Sequence, residues 1–198
     1  LRVMCTIIVL NQVHPDYPVI LAANRDEYYA RSSSSPQRLH DAPVAIGGVD
    51  GRKKGTWMGA TATGLFVGLT NQRTYALPDD DRRSRGQVVL DCLKSGTVDG
   101  VDAVLAALNP LHYNAFNVLY ADAERVRVAY AWDADRVETH DVPSGIHVLP
   151  NDRLDHPEWF KVERARTLLD GVDTLPWPKL VPRLQAVLAD RQKAPWST

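Results

Sequence analysis

The sequence predicts an α+β protein in which antiparallel sheets pack face to face and helices cover them on the outside. Three observations lead there. The segments VMCTIIVL (3–10) and PVILAA (18–23) are apolar at nearly every position, as strands buried on both faces are. Short strands alternate with brief polar or glycine-containing turns, which suits antiparallel neighbours. The order is many strands, two helices, more strands and then helices, unlike the strand–helix alternation of a parallel sheet.

Taken in order, NQVHPDY (11–17) is a turn by composition, so the first two strands form a hairpin. SSSSPQ (32–37) is a polar loop. VAIGG (44–48), GTWMGAT (55–61) and LFVGLT (65–70) follow as short strands, and GGVDG (47–51) supplies a turn. PDDDRRS (78–84) is a solvated connection. Ser84 is a plausible N-cap and Gly96 a stop for a helix whose apolar face carries Val88, Val89, Cys92 and Leu93. A second helix over 99–108 repeats the pattern with Val101, Val104, Leu105 and Leu108, and Pro110 ends it. Strands return at 115–122, 125–133, 136–142 and 145–150. Asp155 with Pro157 opens a helix to about Leu169, and 180–190 supplies a fourth.

The whole chain, 1–198, reads as one domain with room for a sizeable core. Its 23 basic and 24 acidic residues leave a formal charge of -1, which offers nothing to nucleic acid or an anionic membrane. No apolar run approaches the ~20 residues of a membrane helix, so integral membrane association is not expected. No secretory signal pattern is visible. Two cysteines, Cys5 and Cys92, make no disulfide framework, and a cytoplasmic location is expected. The six histidines show no pair at metal-ligand spacing, so neither metal nor cofactor is expected.

The chemistry concentrates at one end of the first hairpin. If its turn centres near His14 and Pro15, paired residue numbers sum to about 29, and Cys5 falls across from about Asn24. Asn24 begins NRDE, so a thiol, an amide, a guanidinium and two carboxylates converge. Cys5 can simply fill a buried strand, or it can be the first residue of the working protein. In the second case its α-amine, with an ordinary pKa near 8, can act as general base for its own thiol. Arg25 would favour the thiolate and Asp26 would hold the amine. Asn71 closes an apolar strand and Asn117 interrupts one. An asparagine is unfavourable inside a strand, so each either bonds a neighbouring backbone or points into a site. Trp57 is a core residue or a ligand platform. Arg85 is solvated or pairs with an acid near the hairpin. Cys92 belongs to the core.

MCT (4–6), LAANRDE (21–27), GTWMG (55–59), GLTN (68–71), SRG (84–86) and YNAFNVLY (113–120) together resemble the NRDE-motif family, also called the transport and Golgi organisation protein 2 family. The resemblance implies the four-layer αββα sandwich of the N-terminal nucleophile hydrolases. It implies Cys5 as nucleophile, Asp26 holding its amine, Asn71 with Asn117 as oxyanion hole, and Arg25 beside them. Asn24, Trp57 and Arg85 become substrate-binding candidates. For Cys5 to act this way residues 1–4 must be removed. The resemblance also implies a C-terminal segment beyond residue 198. The activity it implies is hydrolysis of a linear amide C–N bond in a small molecule. The alternative is a non-catalytic protein that binds and traffics haem, an acyl thioester such as acyl-CoA, or lipid in the same cleft.

Overall fold

The structure, a computed structural model, describes residues 5–25, 30–74, 77–132 and 135–192. Among these the chain runs β1 (Thr6–Asn11), β2 (Val19–Asn24), β3 (Gln37–Asp41), β4 (Val44–Gly47), β5 (Met58–Thr61) and β6 (Phe66–Asn71). There follow α1 (Arg85–Ser95), α2 (Val98–Ala106), β7 (Phe116–Ala121), β8 (Val126–Ala131), β9 (Glu138–Asp141) and β10 (Gly145–Leu149). Helices α3 (Phe160–Leu168) and α4 (Trp177–Ala189) close the order.

Two antiparallel sheets result. One has the order β10-β1-β2, and the other runs β3 to β9 in sequence. Three apolar clusters fill the three spaces of a four-layer stack. Val67, Leu69, Phe116, Val118 and Tyr120 of the larger sheet meet Val88, Val89, Leu93, Val101 and Leu105 of α1 and α2. Ile8, Leu10, Ile20 and Val148 of the smaller sheet meet Val162, Leu180, Leu184 and Val187 of α3 and α4. Between the sheets, Ile7, Val9 and Leu149 meet Leu119, Val126, Val128 and Tyr130. Alternate residues of one strand thus serve two different cores. All six residues of β1 are buried, since it is the central strand of a sheet covered on both faces.

Several expected elements shift. β3 was not foreseen, because Gln37–Asp41 is polar and half to fully exposed at a sheet edge and lacks apolar alternation. β1 starts at Thr6 and β5 at Met58, later than their apolar runs suggest, and residues 3 and 4 lie outside the described residues. The third helix starts at Phe160 rather than Asp155, because Asp155 has φ +57° and serves β10 instead. Its backbone N–H donates to the Val148 carbonyl, and its Oδ1 accepts from the Val148 N–H at 2.9 Å. The fourth helix begins earlier, at Trp177, with Pro178 in its first turn. Finally, β9 and β10 are not neighbours. The chain leaves the larger sheet after Asp141, crosses at 142–144 and enters the smaller one beside β1. Asn11 Nδ2 holds that crossing by donating to the Val142 and Pro143 carbonyls at 2.9 and 3.0 Å.

Candidate active site

The first hairpin pairs with a residue sum of 30: Thr6 lies opposite Asn24 and Ile7 opposite Ala23. One step further, Cys5 comes beside Arg25. On the other flank β1 pairs with β10, Ile7 opposite Leu149. Continued two residues past the end of that ladder, the same register sets Asn151 at the level of Cys5. Adjacent strands lie about 4.8 Å apart, so backbones carrying a guanidinium and a carboxamide flank the thiol. Cys5 is half-buried. Since Ile7 and Val9 lie between the sheets, alternation places Cys5, Arg25 and Asn151 on that same inner face. Asn24 falls on the other face, where its Oδ1 accepts from the Thr6 N–H at 3.1 Å. Asp26 lies outside the described residues.

Trp57 and Asp50 both hold Arg25. Its guanidinium carbon sits 4.4 Å from the centre of the Trp57 ring, a cation–π contact, and its Nη2 lies 3.3 Å from Asp50 Oδ2. Arg31 reaches the same oxygen at 2.7 Å. Asp50 Oδ1 accepts from the backbone N–H groups of Arg52 and Lys53, each at 2.9 Å. Burial alone would raise the Asp50 carboxyl, but these N–H donors and Arg31 outweigh it and hold it below its usual value. GGVDG is therefore a turn that aims a carboxylate. Nothing in the sequence marks Asp50, because its partners Arg25 and Arg31 lie in a distant segment.

The opposite wall comes from the larger sheet. Thr70 pairs with Asn117, which pairs with Tyr130. All three share the inner face with Leu119. The chain following β10 is fastened to them. The Pro150 carbonyl accepts from Thr70 Oγ1 at 2.9 Å, and the Asn151 carbonyl accepts from the Arg73 N–H at 2.9 Å. The Asp152 carbonyl accepts from Asn117 Nδ2 at 2.9 Å, and the Leu154 N–H donates to the Tyr130 hydroxyl at 3.1 Å. Residues 150–154 thus latch the two sheets together at the Cys5 end.

The latch decides which way the Asn117 amide points. Its NH2 donates to Thr70 Oγ1 at 3.1 Å and to the Asp152 carbonyl. Thr70 spends its own proton on Pro150, so both amide hydrogens of Asn117 are committed. Its buried Oδ1 has no hydrogen-bond partner among the described residues. Asn71 pairs with Phe116, whose ring belongs to the core beneath α1 and α2, so Asn71 shares that outer face. Arg85 stands near it, donating to the Ala115 carbonyl at 3.2 Å. The structure therefore brings Cys5, Arg25, Trp57 and Asn117 to one end of the sandwich. It sets Asn24, Asn71 and Arg85 on other faces, and adds Asp50, Thr70 and Asn151. Cys92 lies in α1 with its thiol pushed up to about 12 by burial. Among the described residues no cluster of His, Cys, Asp or Glu could hold a metal ion, and no helix is long and apolar enough to cross a membrane.

A family model described as Transport and Golgi organisation 2 matches residues 4–195. The chain belongs to that family. The Transport and Golgi organization 2 homolog of Mus musculus is 31% identical over 189 residues, covering 89% of this chain and 67% of its own length. The Bos taurus homolog is 32% identical over 187 residues, with 88% and 66% covered. The chain thus spans about two thirds of these Transport and Golgi organisation 2 relatives. Among solved structures, the Caenorhabditis elegans ortholog of N-acylethanolamine-hydrolyzing acid amidase aligns with a TM-score of 0.71 at 13% identity. That alignment covers 94% of this chain and 86% of the other. The two chains share the four-layer αββα fold.

Proposed function

We propose that this member of the Transport and Golgi organisation 2 family is a cysteine amidohydrolase that cleaves a linear amide C–N bond of a small molecule. The observation that carries the reading is the position of Cys5. It opens the central strand of the smaller sheet, on the inner face, one strand away from an arginine held over Trp57. The fold shared with an amidase supports it.

In this reading residues 1–4 are removed and the α-amine of Cys5 accepts the proton of its own thiol, with Asp26 orienting it as the ammonium. The thiolate attacks the carbonyl carbon, and the amine leaves with a proton from the ammonium. Water then hydrolyses the thioester. Asn117 acts by holding Thr70 and residue 152, because its donors are occupied. Asn151, on the Cys5 face, is better placed than Asn71 to donate to the oxyanion. Trp57 borders the substrate through Arg25, while Asn24 and Arg85 support the walls.

Cys5→Ser should keep the fold and lower turnover of an amide panel at least 100-fold, of the order of losing an activated nucleophile. Unchanged turnover would remove Cys5 from the mechanism. A second reading, binding and trafficking of haem or an acyl thioester without catalysis, is favoured by one observation: the amide donors of Asn117 face the latch and not the cleft. Saturable haem or acyl-CoA binding at one site, with no amide turned over, would decide for it.

A further inference from the structure

We infer that Asp50 is a positioning residue that acts on Cys5 through Arg25, keeping the guanidinium over Trp57 and beside the thiol. The inference rests on the reading of Cys5 as the nucleophile. Its geometry stands on the described residues alone. Asp50 is 7% exposed, and its two oxygens divide the work. Oδ1 takes the Arg52 and Lys53 N–H groups, which fixes the carboxylate plane to its own turn. Oδ2 faces Arg25 and Arg31. The side chains of Arg52 and Lys53 turn away, to Asp80 Oδ2 and the Asp80 carbonyl, each at 3.0 Å. Among the described residues, the cations that meet Asp50 through their side chains are therefore Arg25 and Arg31. Arg25 is clamped edge-on by Asp50 and face-on by Trp57, with its side chain 14% exposed. Trp57 is braced in turn by Gly48: a Cβ at Gly48 would come within 2.7 Å of the indole ring.

A carboxylate near a thiol can act in two opposite ways, and this gives the test its sign. Acting only through its charge, Asp50 disfavours the thiolate, and neutralising it would make Cys5 more acidic. Acting as the anchor of Arg25, its loss lets the guanidinium leave, and Cys5 becomes less acidic.

The experiment is the pH profile of iodoacetamide alkylation in the full chain, read by peptide mass at Cys5. It needs no turnover, and Cys92 is shielded from the reagent because it is fully buried in the core under α1. For Asp50→Asn, which keeps an oxygen for the two N–H groups, the midpoint should rise by about one pH unit. Arg25→Gln should raise it as well, and the double variant should match Arg25→Gln alone. Asp50→Glu keeps the charge but not the geometry, and should also raise the midpoint. It supplies the answer if the Asn variant folds poorly. A lowered or unmoved midpoint in the Asn and Glu variants, or additive single effects, overturns the inference. An amidase whose midpoint does not move refutes the anchor and spares the hydrolase reading. A shifted midpoint without amide turnover does the reverse.

Discussion

Asn117 shows how one side chain can be visible in a sequence while its direction is not. An asparagine inside AFNVLY is unfavourable in a strand and marks itself as a residue that bonds something. Which end of its amide is spent depends on Thr70 and Asp152, and the latter arrives only after the chain has crossed between sheets. Replacing it with Leu takes the donor from the Asp152 carbonyl and one of two hydrogen bonds from Thr70 Oγ1, and should cost about 2 kcal/mol in urea denaturation. Asn117→Asp is more informative. Its carboxylate would face an oxygen that cannot donate, so its folded pKa is raised. A raised acid is tolerated below its unfolded pKa, and that stability is lost as pH rises through the folded value. Relative to wild type, the variant should therefore lose stability as pH rises from about 4 towards 8. A flat profile would mean that the amide is oriented otherwise. Cys5 is a contrasting case: hairpin arithmetic alone places it against NRDE within one residue, because the turn fixes the register of both strands.

At the scale of elements, legibility follows the patterning. β1, β2, β6, β7 and β8 announce themselves by apolar runs, and α1 and α2 by their period and their stops at Gly96 and Pro110, although Ser84 makes no side-chain cap hydrogen bond. The polar edge strand β3 lacks such a signal. Asp155 misleads because an aspartate followed two residues later by proline resembles a helix start. The structure uses it to close the edge of β10, where Asp155 Oδ2 lies 2.6 Å from His147 Nδ1 and Oδ1 lies 3.2 Å from Arg166. Burial would raise this carboxyl, yet His147, the Val148 N–H and Arg166 together hold it below its usual value. A depressed carboxylate contributes stability that is full above its unfolded pKa and is lost as pH falls through the folded one. Wild type should therefore exceed Asp155→Asn by about 2 kcal/mol at pH 7. The gap should close below about pH 4, as followed by urea denaturation. A gap constant from pH 7 to pH 3 would show that the charge contributes nothing. The motif glycines have a plainer explanation. Gly55 and Gly86 pass so closely that a Cβ on Gly55 would lie 2.6 Å from the Gly86 backbone, which seats the start of α1 against the segment before β5.

At the scale of the molecule, two sheets share one inner core, and each has a helical layer outside. The layers were readable from strands apolar on both faces. The assignment of β10 to the smaller sheet was not, since a short link ordinarily joins neighbours. That crossing matters chemically. It sets β10 beside β1, carries Asn151 to the Cys5 end of that ladder and delivers residues 150–154 to the larger sheet. The central claim is that this end of the sandwich is built around Cys5 as a nucleophile with its own amine. The most direct measurement is the intact mass of the full-length protein expressed from its native gene, before and after brief exposure to an activated acyl ester. The expected result is a chain beginning at Cys5 that gains one acyl group, mapped to that residue. A chain that retains residues 1–4, or one that begins at Cys5 and takes no acyl group, would contradict it.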